Sequence, residues 1–76
     1  MENVYRTLRN YVKGVHCLDW NKEEEVVSCV INGTYLEIQP CNDILYHVTI
    51  ADDNTGDQLG VKCLDLNQIY NMARKC

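Results

Sequence analysis

The sequence predicts an α+β fold, with an antiparallel β-meander of four to five strands and an N-terminal and a C-terminal helix packed on one face. Three observations predict it. Apolar residues recur at helical spacing at both ends, the middle of the chain alternates and is rich in β-branched residues, and Asn32-Gly33 marks a tight hairpin. Because 76 residues can enclose only one core, we expect residues 1–76 to form a single compact domain. A small closed barrel with helical ends is the alternative architecture.

The first helix is predicted over residues 2–13. Gly14 should end it, because glycine accepts the left-handed conformation that is common just past a helix C-terminus. Two strands are predicted next, over residues 15–20 and 25–31, with a polar turn between them. The apolar stripe of the helix comprises Val4, Leu8, Tyr11 and Val12.

Asn32-Gly33 is the strongest local signal, because both residues tolerate the positive φ angles of a two-residue type I′ turn. Such a turn fixes the register of the strands on either side of it. The predicted pairs are Ile31 with Thr34, Cys29 with Leu36, and Val27 with Ile38. One surface of this hairpin is therefore expected to be apolar and to face the helices.

A second hairpin is predicted from strands over residues 44–51 and 58–64, joined by a polar loop. If Ile50 lies opposite Leu59, the apolar residues of both strands gather on one surface. The further pairs in that register are Val48 with Val61 and Tyr46 with Cys63.

Asp65 is expected to cap the last helix, with Gln68 three residues on completing a capping box. Its predicted apolar stripe is Leu66, Ile69, Tyr70 and Ala73, and Arg74 and Lys75 follow at the C-terminal end. With both helices on one side, the opposite face of the sheet stays uncovered. The residues predicted there are Val26, Val30, Tyr35, Leu45, His47, Thr49 and Lys62.

The five cysteines are odd in number and follow no secretory signal, so we expect reduced thiols and a cytoplasmic protein. Cys29 and Cys63 are assigned to the core, and Cys76 is expected to cross-link first if oxidised. No stretch approaches the roughly 20 apolar residues of a membrane span, so no membrane association is expected.

No catalytic residue, metal ligand or cofactor is predicted. His16 and Cys17 are neighbours on a strand and should point to opposite faces, and the predicted register also separates His47 from Cys63. No cysteines or histidines have zinc-ligand spacing. The loop 52–57 matches a calcium loop poorly and is interpreted as a solvated hairpin tip, with the cysteines and histidines structural or incidental.

The net charge of −4 argues against nucleic acid as a partner, and the basic stripe of Arg6, Arg9 and Lys13 is interpreted as solvated helix surface. An acidic cluster is predicted at one end of the meander, where it would be solvated or would meet a basic partner. Its members are Asp19, Glu23, Glu24, Glu25 and Asp43.

The sequence therefore favours a small non-enzymatic binding protein that acts through protein–protein contacts, and its size suits an inhibitor of host machinery encoded by a phage or other mobile element. The alternatives are a homodimeric structural or regulatory module that buries the same face, and a small-ligand binder. The residues predicted to bind the partner are Tyr35, His47, Val30, Lys62, Glu23, Glu24 and Glu25.

Overall fold

The chain begins and ends with a helix, and the five strands between the two helices form one antiparallel sheet. The computed structural model describes residues 1–75. The elements are α1 (Glu2–Tyr11), β1 (Val15–Asn21), β2 (Val26–Ile31), β3 (Thr34–Pro40), β4 (Tyr46–Asp52), β5 (Gln58–Leu64) and α2 (Leu66–Lys75). The strands follow one another across the sheet in chain order, which confirms the α+β meander. Because β1 and β5 are at opposite sides of the sheet and do not pair, the closed-barrel alternative is wrong.

Both helices pack on the same face of the sheet, where they form one core with it. This core contains Val4 and Leu8 from α1, Ile69 and Ala73 from α2, and every second residue of the inner strands. The buried residues are Val4, Leu8, Val12, Val27, Cys29, Ile31, Leu36, Ile38, Val48, Ile69 and Ala73. We call this side of the sheet the helix side.

The first helix is shorter than predicted, because it ends at Tyr11 rather than at residue 13. Val12 already has extended backbone angles, with φ −114° and ψ 122°, and a turn at Gly14, with φ +81°, then leads into β1. Val12 is buried in the core, whereas Tyr11 is 70% exposed. The assignment of Tyr11 to the apolar stripe is therefore wrong: the chain leaves the helix there, and Val12 occupies the core instead.

The hairpin of β2 and β3 has the predicted register. Asn32 and Gly33 have φ angles of +48° and +77°, as the two-residue turn requires. The predicted pairs are confirmed, namely Ile31 with Thr34, Cys29 with Leu36, and Val27 with Ile38.

The hairpin of β4 and β5 is shifted by one residue from the prediction. Leu59 is an extra residue in β5, because Ala51 pairs with Gln58 while Ile50 pairs with Gly60. Such a bulge moves every later side chain of β5 to the other face. The observed pairs are Val48 with Lys62, Tyr46 with Leu64, His47 with Cys63, and Thr49 with Val61. The predicted assignment of Val61 and Cys63 to the helix side is therefore wrong.

Three turns are closed by the side-chain oxygen of an Asn or Asp. Asn21 accepts hydrogen bonds from the amides of Glu23 and Glu24, both at 3.1 Å. Asn42 accepts from residues 44 and 45 at 2.9 and 2.8 Å, so that β4 begins only at Tyr46. Asp52 accepts from residues 54 and 55 at 2.8 and 3.1 Å. Such local bonds compete with strand pairing, which explains why the predicted strand from residue 44 begins late.

The capping box of α2 is confirmed. The Gln68 amide donates to Asp65 Oδ1 at 2.8 Å, and the Asp65 amide donates to Gln68 Oε1 at 3.0 Å. These reciprocal bonds satisfy two amides that have no intrahelical partner. They start α2 directly after β5, so that the helix returns over the sheet towards α1.

Candidate interaction surface

The face of the sheet opposite the helices is uncovered, and we call it the open face. Side chains directly opposite each other in antiparallel strands share a face, so the pairing places its members in three rows. The central row is Asp19, Ser28, Glu37, Thr49 and Val61. The flanking rows are His16, Val30, Tyr35, Ala51 and Gln58 on one side, and Asn21, Val26, Gln39, His47 and Cys63 on the other.

Apolar and aromatic side chains occupy much of this face. Val61 is 45% exposed in the central row. Val30 and Tyr35 lie directly opposite each other and are half-buried, with no helix above them. An uncovered sheet face of this kind is suited to contact with another macromolecule, because contact would remove its apolar side chains from water.

Most of the predicted partner-binding side chains share the open face or its borders, but Lys62 does not. Tyr35, Val30 and His47 lie on the open face. Lys62 pairs with the buried Val48 and is therefore on the helix side, so its predicted position is wrong. The cause is the Leu59 bulge, which places Val61 where Lys62 was expected.

Of the other residues predicted on the open face, some lie there and one does not. Val26 and Thr49 lie on it, whereas Leu45 belongs to the turn that Asn42 closes. Leu59 and Val61 are the surface residues that the sequence interpretation missed. No signal within β5 could have placed them, because their alternation with Gly60 and Lys62 fits either face equally well.

The predicted acidic cluster lies at one end of the sheet. Glu23, Glu24 and Glu25 occupy the turn between β1 and β2, and Asp43 occupies the turn between β3 and β4, at the same end of the meander. Asp19 is in β1, opposite Ser28, and so belongs to the open face itself. The three turn glutamates are exposed, and they lie beside the open face rather than in its rows.

The described cysteines are more exposed than predicted. Cys29 is buried as expected, whereas Cys17, Cys41 and Cys63 are exposed. Cys17 lies at an irregularity in β1 and has φ +53°, which places its thiol outside the regular alternation of the strand. The assignment of Cys63 to the core is wrong because of the register shift in β5. The prediction for Cys76 lies outside the described residues.

His47 and Cys63 are direct cross-strand partners, contrary to the predicted register. This neighbour does not make Cys63 a nucleophile. The Cys41 side chain raises the pKa of Cys63, first by a hydrogen bond between the thiols and then by charge repulsion. A catalytic thiol requires a lowered pKa, because the thiolate is the reactive form. The pKa shift of Cys63 is therefore opposite in direction to the one that activates a nucleophilic thiol.

The residues considered for metal binding are used in other ways. Asp52 Oδ1 accepts hydrogen bonds from two loop amides, and the Asp52 amide donates to the Asp57 carbonyl at 2.8 Å. Within residues 1–75, no three side chains of His, Cys, Asp or Glu are grouped so that they could hold a metal ion. The loop 52–57 thus has a structural explanation as a closed hairpin tip.

Neither described helix is long and apolar enough to cross a bilayer. The chain was also compared with family models, with curated proteins and with solved structures, and none of the three comparisons found a match.

Proposed function

We propose that this chain is a small non-enzymatic binding protein that acts through protein–protein contacts on its open face. One observation carries the proposal: both helices pack on the other side of the sheet and leave Val30, Tyr35 and Val61 without a covering layer. Exposed aromatic and aliphatic side chains that sit on a rigid sheet can anchor an interface at low entropic cost.

Tyr35 is the proposed centre of the contact. It lies on an inner strand, with Val30 opposite it on one side and Ala51 on the other, and its side chain is half-buried. His47 and Val61 extend the surface towards β5. The turn glutamates at residues 23–25 are proposed to steer a partner's approach rather than to bind it tightly.

Inhibition of host machinery by a protein of a phage or other mobile element is one form of this function, because a small rigid face can block a larger partner. We place the protein in the cytoplasm. The exposed thiols of Cys17, Cys41 and Cys63 support this placement, since reducing compartments keep cysteines in the thiol form.

The test is affinity capture with matched variants. Val61→Asp introduces a negative charge on the open face. Tyr11→Asp introduces the same charge at an exposed position at the end of α1. A partner that binds the open face is retained by the wild type and by Tyr11→Asp but is lost with Val61→Asp. Tyr35→Ala should weaken its binding by about 2 kcal/mol. A partner retained equally by both charge variants contradicts the proposal.

A homodimer that buries the same face is the second candidate. The exposure of Leu59 and Val61 favours it, because a small core gains stability from a second subunit. Sedimentation across a concentration series separates the two functions. A species that remains monomeric at micromolar concentration excludes the homodimer, whereas a dimer that Val61→Asp dissociates supports it.

A further inference from the structure

The charges of this protein are divided between its two sides. The sequence has seven Lys and Arg residues, and none of them lies in the three rows of the open face. Lys62 points to the helix side, and the Lys22 ammonium lies 4.9 Å from the ring centre of Trp20, which also packs on that side. The others are Arg6 and Arg9 in α1, Lys13 in the following turn, and Arg74 and Lys75 in α2.

The open face and its borders hold most of the carboxylates. Asp19 and Glu37 lie in the central row. The turns at one end of the sheet contribute Glu23, Glu24, Glu25 and Asp43, and the loop at the other end contributes Asp52, Asp53 and Asp57. The electrostatic potential above the open face is therefore negative, because no Lys or Arg side chain in its rows balances the carboxylates.

A shallow hollow of about 280 Å³ opens on the same face beside Tyr35. Glu37 and Asp53 line it, and Thr49 and Ala51 form part of its floor. The Asp53 amide donates to the Gly33 carbonyl at 2.8 Å, so the loop is fastened to the Asn-Gly turn and the hollow has a fixed rim. In the part of the chain that the structure describes, neither the Glu37 nor the Asp53 carboxylate forms an ion pair.

We infer that the partner of the open face is a protein surface rich in Lys and Arg, and that one of its basic side chains enters the hollow beside Tyr35. This inference rests on the proposed function. A guanidinium or ammonium group there would meet two carboxylates and the face of an aromatic ring, which attracts cations through its quadrupole. A second copy of this chain is a poorer occupant, because two negative faces would oppose each other.

The test uses an oligoarginine peptide as the probe and an oligoglutamate peptide as its control. Amide shifts of the ¹⁵N-labelled protein are followed at low salt and at physiological salt, where screening acts over about 8 Å. The expected result is saturable shifts at Tyr35, Glu37 and Thr49 with oligoarginine alone, weakened by salt. Glu37→Gln should weaken binding about three- to tenfold. Glu2→Gln makes the same change in charge on α1 and should leave it unaltered.

Three results would overturn the inference. The first is no shift on the open face, the second is shifts confined to the end turns, and the third is an equal effect of the two variants. Shifts of the same amides on raising the concentration of the protein alone would identify a second copy as the occupant, and would also overturn it.

The failure of this inference differs from failure of the proposed function. A captured protein that is lost with Val61→Asp but retained with Glu37→Gln, and that resists salt, would keep the open face as the binding surface and exclude a basic partner. A captured protein lost with both variants and released by salt supports the inference. A basic protein that both variants retain would show that another surface binds it, and would contradict both proposals.

Discussion

The hairpin of β2 and β3 and the hairpin of β4 and β5 differ in how their connections set the register. The first has a two-residue turn, and every pair from Ile31 with Thr34 onwards is regular. The second has a five-residue connection closed by a hydrogen bond from the Asp52 amide to the Asp57 carbonyl, followed by a bulge at Leu59. The first hairpin therefore buries alternate side chains of both strands under the helices, whereas the second sends Val61 and Cys63 to the open face. A one-residue irregularity in the second hairpin thus supplies part of the candidate binding surface.

The largest expected effect comes from truncating a buried side chain of the first hairpin. Leu36 is fully buried, so Leu36→Ala should lower the free energy of unfolding by about 2 to 5 kcal/mol. Leu59→Ala in the second hairpin is the matched control and should cost less than about 0.5 kcal/mol. Urea unfolding measures both variants.

If Leu36→Ala prevents folding, Ile38→Val gives a measurable substitute with an expected loss of about 1 kcal/mol. Equal losses for the two leucine variants would show that the hairpins do not differ in burial.

The next largest effect is expected from replacing a glycine in each hairpin with alanine. Gly33 has φ +77°, so Gly33→Ala strains the turn and should destabilise the protein by about 1 kcal/mol. Gly60 in β5 has no positive φ, and a Cβ there meets no atom within 4 Å. Gly60→Ala should be neutral or slightly stabilising, as thermal unfolding can show. A larger loss from Gly60→Ala than from Gly33→Ala would argue against the observed pairing.

A charge at Val61 tests the shifted register directly. Val61 is 45% exposed on the open face, so Val61→Lys should change the free energy of unfolding by less than about 0.5 kcal/mol. In the register predicted from sequence, Val61 would lie opposite the buried Val48 and pack in the core, so the same change would remove that apolar contact and cost more than about 1 kcal/mol. Denaturant unfolding decides between the registers, and a loss of that size would restore the sequence-based pairing.

The smallest effect concerns the reactivity of the thiols in the two hairpins. Buried Cys29 should resist iodoacetamide in the native protein, whereas Cys63 should react. Because Cys41 raises the pKa of Cys63, Cys41→Ala should lower that pKa and increase the thiolate fraction at a given pH. The pH dependence of Cys63 alkylation, followed by mass spectrometry, should shift to lower pH. Cys17 is the internal control, and an unchanged profile for Cys63 would contradict the contact between the two thiols.

Those parts of the fold that depend on local chemistry were predictable from the sequence. The Asn32-Gly33 turn and the Asp65–Gln68 capping box involve residues within a few positions of each other, and both are confirmed. The meander of four to five strands and the common side of the helices were also predicted from periodicity and short connections, and the structure has five strands.

The candidate surface was only partly predictable. Tyr35 and Val30 depend on the first hairpin and were placed correctly. The face of Lys62 and Cys63 depends on whether β5 contains an extra residue, and that is decided by closure of the loop 52–57 rather than by the alternation within β5. Pairing that maximises apolar contact favoured the wrong register, because it assigned the apolar residues of β5 to the helix side, whereas Val61 lies on the open face.

Both irregular pairings involve the outer strands β1 and β5, whereas β2 and β3 pair without interruption. The outer strands carry backbone amides and carbonyls that no neighbouring strand uses, and such borders invite further strands to add on. The irregularity near Cys17 and the bulge at Leu59 bend these borders locally, which makes them poor templates for stacking. The same distortion that redirects Val61 therefore also makes the outer edge of β5 less suited to pairing with a strand of another chain.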